Sequence, residues 1–409
     1  MKIFNRNKLA SCIILMMFCI VMFSSALFFC SKFLVNPVYD YLIRKTSPKN
    51  PSHEIVIVTI DDQSINKIGR WPWKRTYYAD MFEYLEKIAG ARLIVFDSVL
   101  VSYGDKANDE EFFKKYSHLK KVIPGIFFSR KAGHFYNENE SELNALFSEN
   151  FSVNVEDHRP ARLIAASTYA ESSFAIKEIA KSSKAFGSVL SIPDDDGVIR
   201  KAEPLFLHKG NYYPSLALAV YSQLNPNAKF RLSKNSLISD KLKIPLVSNK
   251  NGSYKYIRWY KPVDKGVSYP YKTVSAWKVI EASKHNVQKD NQAEYAPYLF
   301  QDKIVVIGAT STAIKDIKRT PMNSDYPGVY IQATAIDNIL NNDFITRPSA
   351  LQESLILVAF VVIGFLTIFY MRPVYSAVLL GILAVGYFYV CLFFAYPNNY
   401  APDAITPVV

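Results

Sequence analysis

His53-Glu54-Ile55-Val56-Ile57-Val58-Thr59-Ile60-Asp61-Asp62 decides the reading of this chain. Six apolar or β-branched residues run without alternation before two acids, the pattern of a strand covered on both faces. Working outward, Thr76 to Ala89 carries helical spacing, with Tyr77, Met81, Phe82, Leu85 and Ile88 predicted on one face. Arg92-Leu93-Ile94-Val95-Phe96-Asp97 is a second buried strand, so strand, helix and strand read as a parallel βαβ unit. Lys303-Ile304-Val305-Val306-Ile307-Gly308 is a third such strand, and Val329 to Leu340 reads as a helix after it. The middle adds a helix at Pro214 to Gln223 and a strand at Tyr254 to Tyr260. The polar stretches Gly104 to Lys121 and Gly133 to Glu149 are expected as surface insertions. The fold class is therefore α/β with a mainly parallel sheet, in one domain spanning 36–348.

Apolar segments flank that domain. Leu9 to Cys30 lacks any charge and follows a leader, residues 1–8, containing Lys2, Arg6 and Lys8. Length and basic leader predict a spanning helix over 9–30 with a cytoplasmic N-terminus, rather than a signal peptide cleaved after Ser24-Ser25-Ala26. Two further apolar runs, 351–371 and 374–396, are joined by Arg372-Pro373 and predict a hairpin with its tight loop in the cytoplasm. The domain between would then be extracytoplasmic, in a multi-pass protein of the inner membrane. The tail, 397–409, turns apolar again and reads as the start of a fourth helix.

The 409 residues carry a formal charge of +12, but lysines and arginines are interleaved with acids and form no basic arm. Nucleic-acid backbone recognition needs a concentrated basic surface, so no nucleic-acid partner is expected. Cys12, Cys19, Cys30 and Cys391 all lie in or beside the apolar segments. The domain has no cysteine, which rules out disulfides, cysteine metal sites and a cysteine nucleophile there. Histidines form no ligand pair, and the common hydrolase, kinase and zinc-protease motifs are missing, so no cofactor is expected.

Some segments carry candidate chemistry. Asp61, Asp62 and Asp97 end two strands, the edge at which open parallel sheets bind ligands. They could hold a divalent cation through oxygens, or else cap the following helices and pair with Arg70 or Arg75. Gly69-Arg70-Trp71-Pro72-Trp73 offers two indoles around a proline, suited to stacking on a sugar or to stapling the loop down. Asp194-Asp195-Asp196-Gly197 lacks calcium-loop spacing and reads as a tight turn before a Val198-Ile199-Arg200 strand. Gly308-Ala309-Thr310 after a strand fits neither phosphate-loop nor dinucleotide patterns, yet its amides could face an anion.

Taken in order, these segments resemble the CHASE2 domain, an extracytoplasmic sensory module of bacterial receptors. The resemblance rests on Val58 to Ser64 leading into Gly69, Arg70, Trp71, Pro72, Trp73 and Arg75, then Phe96-Asp97, then Asp196, Gly197 and Arg200. Tyr213-Pro214, Lys303 to Thr310, Asp316, Thr320-Pro321 and Pro327-Gly328-Val329 complete it, across about three quarters of the chain. The resemblance implies one membrane helix before the domain and three after it, leading to a cytoplasmic output such as a nucleotide cyclase, histidine kinase or Ser/Thr kinase. Family ligands are not generally established, so no binding residue follows from it. Two segments depart from the pattern. Gln332-Ala333-Thr334 stands where members often have His-Ala-Asn, and Ile257-Arg258-Trp259-Tyr260 where an Asn-Tyr-Arg-Gly-like segment is common.

The resulting expectation is a membrane-anchored sensor, working as a homodimer, with its output absent from this chain or supplied by a separate effector. An unknown extracytoplasmic ligand would bind at the strand ends, near Asp61, Asp62, Arg70, Asp97, Gly308, Ala309 and Thr310. The competing expectations are a membrane-tethered envelope enzyme using the aspartates with a divalent metal, and a degenerate receptor with a scaffold role.

Overall fold

The computed structural model describes residues 34–131, 140–157, 167–233, 235–249, 252–262, 268–285 and 297–407. The expected helix over 9–30 lies outside them. The chain divides into two compact units, one of Pro48–Ile345 and one of Met1–Ser47 with Thr346–Val409. The α/β body is thus narrower than the 36–348 read from sequence. Asn36–Thr46 is a helix of the other unit.

The α/β unit is built on strands β1 (Ile55–Ile60), β2 (Leu93–Phe96), β3 (Val122–Ser129), β4 (Glu171–Ser173), β5 (Gly187–Ser188), β6 (Lys272–Ser275) and β7 (Ile304–Ala309). Their order is β6-β1-β7-β2-β3-β4, with β5 also paired to β3. Every pair is parallel except β3 with β4. The mainly parallel sheet is therefore as expected, and β1 and β7 are apolar and buried along nearly their whole length. β1 and β2 are parallel but not neighbours. The third strand, β7, inserts between them, although more than 200 residues separate it from β2 in sequence.

Several local expectations need correction. The helix expected over Thr76–Ala89 is α-helical only over Arg75–Glu83 and continues as a π turn at Tyr84–Ile88. The wider turn slows the rotation of side chains, so Ile88 emerges 38% exposed while Glu86 turns inward. There the Glu86 carboxylate accepts the amides of Lys120 and Lys121 at 3.0–3.1 Å, supplying partners for backbone ahead of β3. The stretch 104–121 is not a surface insertion. It holds the helix Lys106–Tyr116, whose Phe112 and Tyr116 enter the core between charged neighbours. Glu140–Asn150 is likewise a helix, anchored by Leu143 and by Phe147 stacked 4.1 Å from Phe174. In both segments apolar residues four apart outweighed the surrounding charge. The strand expected at 254–260 is Gly252–Tyr256, because from Ile257 the backbone turns to pair with a side chain. Asn338 accepts the Arg258 amide and donates to the Arg258 carbonyl, both at 2.9 Å.

In the second unit, Ala350–Tyr370 and Pro373–Asn398 are long and apolar enough to cross a membrane, with mean hydropathies of 2.3 and 2.4. Ser349 and Gln352 form a capping box at the first, and Arg372-Pro373 turns the chain into the second. Ser376 donates to Thr367 at 3.1 Å across the hairpin. Outward side chains are large and apolar, as lipid contact requires: Leu351 is 70% exposed and Val374 71%. The tail does not continue as a helix over its described residues. Its backbone pairs Thr346 with Asn399 and Ala401, and Asp403 accepts the amides of Ile405 and Thr406 in a turn.

Candidate functional site

The strand-end acids have separate tasks. Asp61 caps the helix Asp62–Ile68, accepting from the Ser64 amide at 2.8 Å and its hydroxyl at 2.7 Å. Its other oxygen accepts from Ser275 at 2.5 Å, tying β1 to β6. Asp62 is exposed and accepts from Ser311 at 2.5 Å. Asp97 leaves β2, and because β7 intervenes it ends about 10 Å from β1, two strand spacings away. Its electrostatic partner is Asp316 instead. Burial first, then the Asp316 charge, push its pKa well above the usual carboxylate range, against Lys318. Neither Arg70 nor Arg75 pairs with these acids: Arg70 is exposed, and Arg75 binds Asp109 at 2.9 Å.

The loop after β7 does not present amides to an anion. The Thr310 and Ser311 amides both donate to the Ile60 carbonyl at 3.1 Å. Gly308 allows close packing: a Cβ there would lie 2.8 Å from Val329 and 3.2 Å from Asp97 Cβ. Gly328 serves the same end, since a Cβ would collide with the Asp316 carboxylate, which also pairs with Lys318 at 3.1 Å.

The Asp194–Gly197 segment is the expected turn, closed by the Gly197 amide on the Asp194 carbonyl at 2.8 Å, with Gly197 at φ +80°. Val198-Ile199-Arg200 is not a strand; Val198 makes a single bridge to Arg319, beside the buried Pro321. Arg200 is 2% exposed, held by Asp196 at 2.8 and 2.9 Å and Asp194 at 3.0 Å. Pro214 is the buried end of the strand Asn211–Pro214, and Ser215 after it caps the helix Leu216–Leu224. The departing segments are also structural here. Gln332 donates to the Val189 carbonyl at 2.9 Å, and Trp259 is fully buried.

The Gly-Arg-Trp-Pro-Trp segment behaves differently. Gly69 ends the capped helix at φ +120°, a conformation that favours glycine. The Trp71-Pro72 bond is cis, and Trp73 donates its indole N–H to the Gly69 carbonyl at 2.8 Å. Trp71 stands edge-on to Trp73 and Tyr78 at 5.5 and 5.8 Å, and stays half-buried while those two are buried. Opposite runs the loop leaving β2, from Ser98 to Asp105. Arg75 shapes it, donating to the Ser102 carbonyl and to Asp109, which also accepts the Gly104 amide at 2.7 Å. Between them lies a cleft of about 630 Å³, outside the carboxyl end of β2. Sequence reading put the site at the strand-end acids and missed this loop. Nothing in sequence marks Asp109 as the partner of Arg75, 34 residues away. Among the described residues no group of three or more histidine, cysteine or acidic side chains could hold a metal ion.

A family model described as the CHASE2 domain matches residues 13–369. No curated protein and no solved structure matches the chain. The match reaches beyond the α/β unit into the apolar helix Ala350–Tyr370, and covers the paired acids, the buried Arg200 and the tryptophan cleft alike. The chain belongs to the CHASE2 family of extracytoplasmic sensory domains.

Proposed function

We propose that this chain is the input part of a membrane receptor, anchored in the inner membrane with its α/β unit outside the cytoplasm. A ligand would enter the cleft between Trp71 and the Ser98–Asp105 loop. The observation that carries this reading is that the family's own Trp-Pro-Trp segment walls an open cleft, on a domain whose chain runs on into two apolar helices. Loop closure on a ligand would favour one arrangement of the domain over another. A signal arises only from such differential binding. The described helices Ala350–Tyr370 and Pro373–Val390 are the elements through which it would pass.

Topology tests the reading. Alkaline phosphatase fused after Leu340 should be active and green fluorescent protein there dark, with the opposite result for fusions at Arg372. Fluorescence after Leu340 would place the domain in the cytoplasm and end the proposal.

A further inference from the structure

We infer that the ligand of the cleft is a neutral saccharide; this rests on the sensor reading above and names its ligand class. Charge comes first. Four charged side chains line the cleft, Lys74 and Arg75 against Asp105 and Asp109, so the lining is neutral overall. Arg75 and Asp109 are spent on each other at 2.9 Å, leaving no free guanidinium to fork an anion. Unengaged polarity comes second. Among the described residues the Trp71 indole N–H, the Lys74 ammonium, the second Asp105 oxygen and the Asn108 amide nitrogen have no hydrogen-bond partner. An apolar ligand would strip water from these groups and return nothing. The third element is a fixed aromatic surface, Trp71, braced edge-on by Trp73 and Tyr78. A sugar ring matches all three features, with hydroxyls that both donate and accept and a C–H face that stacks on an indole. At about 630 Å³ the cleft lies in the range of small-ligand sites.

The test is titration of the detergent-purified full chain with glucose, maltose, N-acetylglucosamine and chitobiose. Tryptophan fluorescence and calorimetry report binding; alanine, glutamate and inorganic phosphate serve as other chemistries. At least one saccharide should saturate with Kd of about 1 mM or tighter. Trp71→Ala should weaken it about tenfold or more, and Trp71→Phe, which keeps a ring face, by less. Asn108→Leu, which leaves Trp71, Trp73 and Tyr78 unaltered, should also weaken it and covers the case in which Trp71→Ala does not fold. The inference falls if no saccharide binds, or if binding survives in both Trp71→Ala and Asn108→Leu. Trp71-dependent binding of an amino acid or phosphate alone would refute the saccharide and leave the sensor standing. The topology result above refutes the sensor independently.

Discussion

The family signature divides into two regions that the same fold treats in opposite ways. Around Arg200, Asp316 and Gly328 the signature is closed. The charges of Arg200 and Asp316 are matched inside the protein, and neighbouring side chains leave no room for a Cβ at Gly308 or Gly328. Around Trp71 it is open, with polar groups that have no partner among the described residues beside a braced ring. Closed residues hold the sheet edge in shape, and open ones remain available to something outside the chain. The lesson is that residues shared with a family separate into framework and site by asking which of their hydrogen bonds and contacts are already made.

That division can be broken by mutation. The largest effect is expected at Lys255, which lies beyond the signature and is buried without being matched: it is 1% exposed, 4.9 Å from the Phe344 ring, and its ammonium has no hydrogen-bond partner among the described residues. Burial, opposed by Asp343, lowers its pKa to about 7 from an ordinary 10.5. The unfolded chain therefore binds a proton that the folded chain releases between those values. Stability should rise with pH from about 7 to 10.5 and carry the full penalty below 7. Lys255→Met should abolish that slope and stabilise the domain at pH 6 by about 3 kcal/mol, read by denaturant unfolding at several pH values. A wild-type slope retained in the variant would show that another group titrates.

Arg200→Leu comes next. Breaking a fully buried pair costs about 3–5 kcal/mol, but Asp196 is 40% exposed and can rehydrate, so about 2–3 kcal/mol is expected. Gly328→Ala should cost about 2 kcal/mol through the collision with Asp316, and Asp316→Ala should recover part of it in a double-mutant cycle. Additive losses would mean that the two residues are not coupled. Smallest of all, Trp71→Ala should change stability by about 1 kcal/mol or less, since the ring is only half-buried and its neighbours Trp73 and Tyr78 pack without it.

Much of the framework was legible in the sequence. Unbroken apolar runs marked β1, β2 and β7, since only strands covered on both faces dispense with alternation. Strand order was not legible, because the entry of β7 between β1 and β2 depends on contacts between residues far apart in sequence. That one insertion separated Asp97 from Asp61 and Asp62, and so dissolved the expected three-acid site. The inward turn of Glu86 escaped for a related reason. A π turn changes the side-chain period by a fraction that the spacing of Tyr77, Met81, Phe82, Leu85 and Ile88 does not reveal. Of the candidate site, the tryptophans were legible as an unusual motif. Their cleft was not, because its far wall is shaped by the Arg75–Asp109 pair, whose members have no pattern in common.

Thermal unfolding of Trp71→Ala and Arg200→Leu beside the unaltered chain, in one detergent and at one pH, tests the division most directly. The account predicts a melting temperature within about 2 °C of wild type for Trp71→Ala and a fall of about 4–6 °C for Arg200→Leu. Equal losses, or a larger loss at Trp71, would show that the tryptophan segment is framework like the rest and that the cleft is not kept open for a ligand.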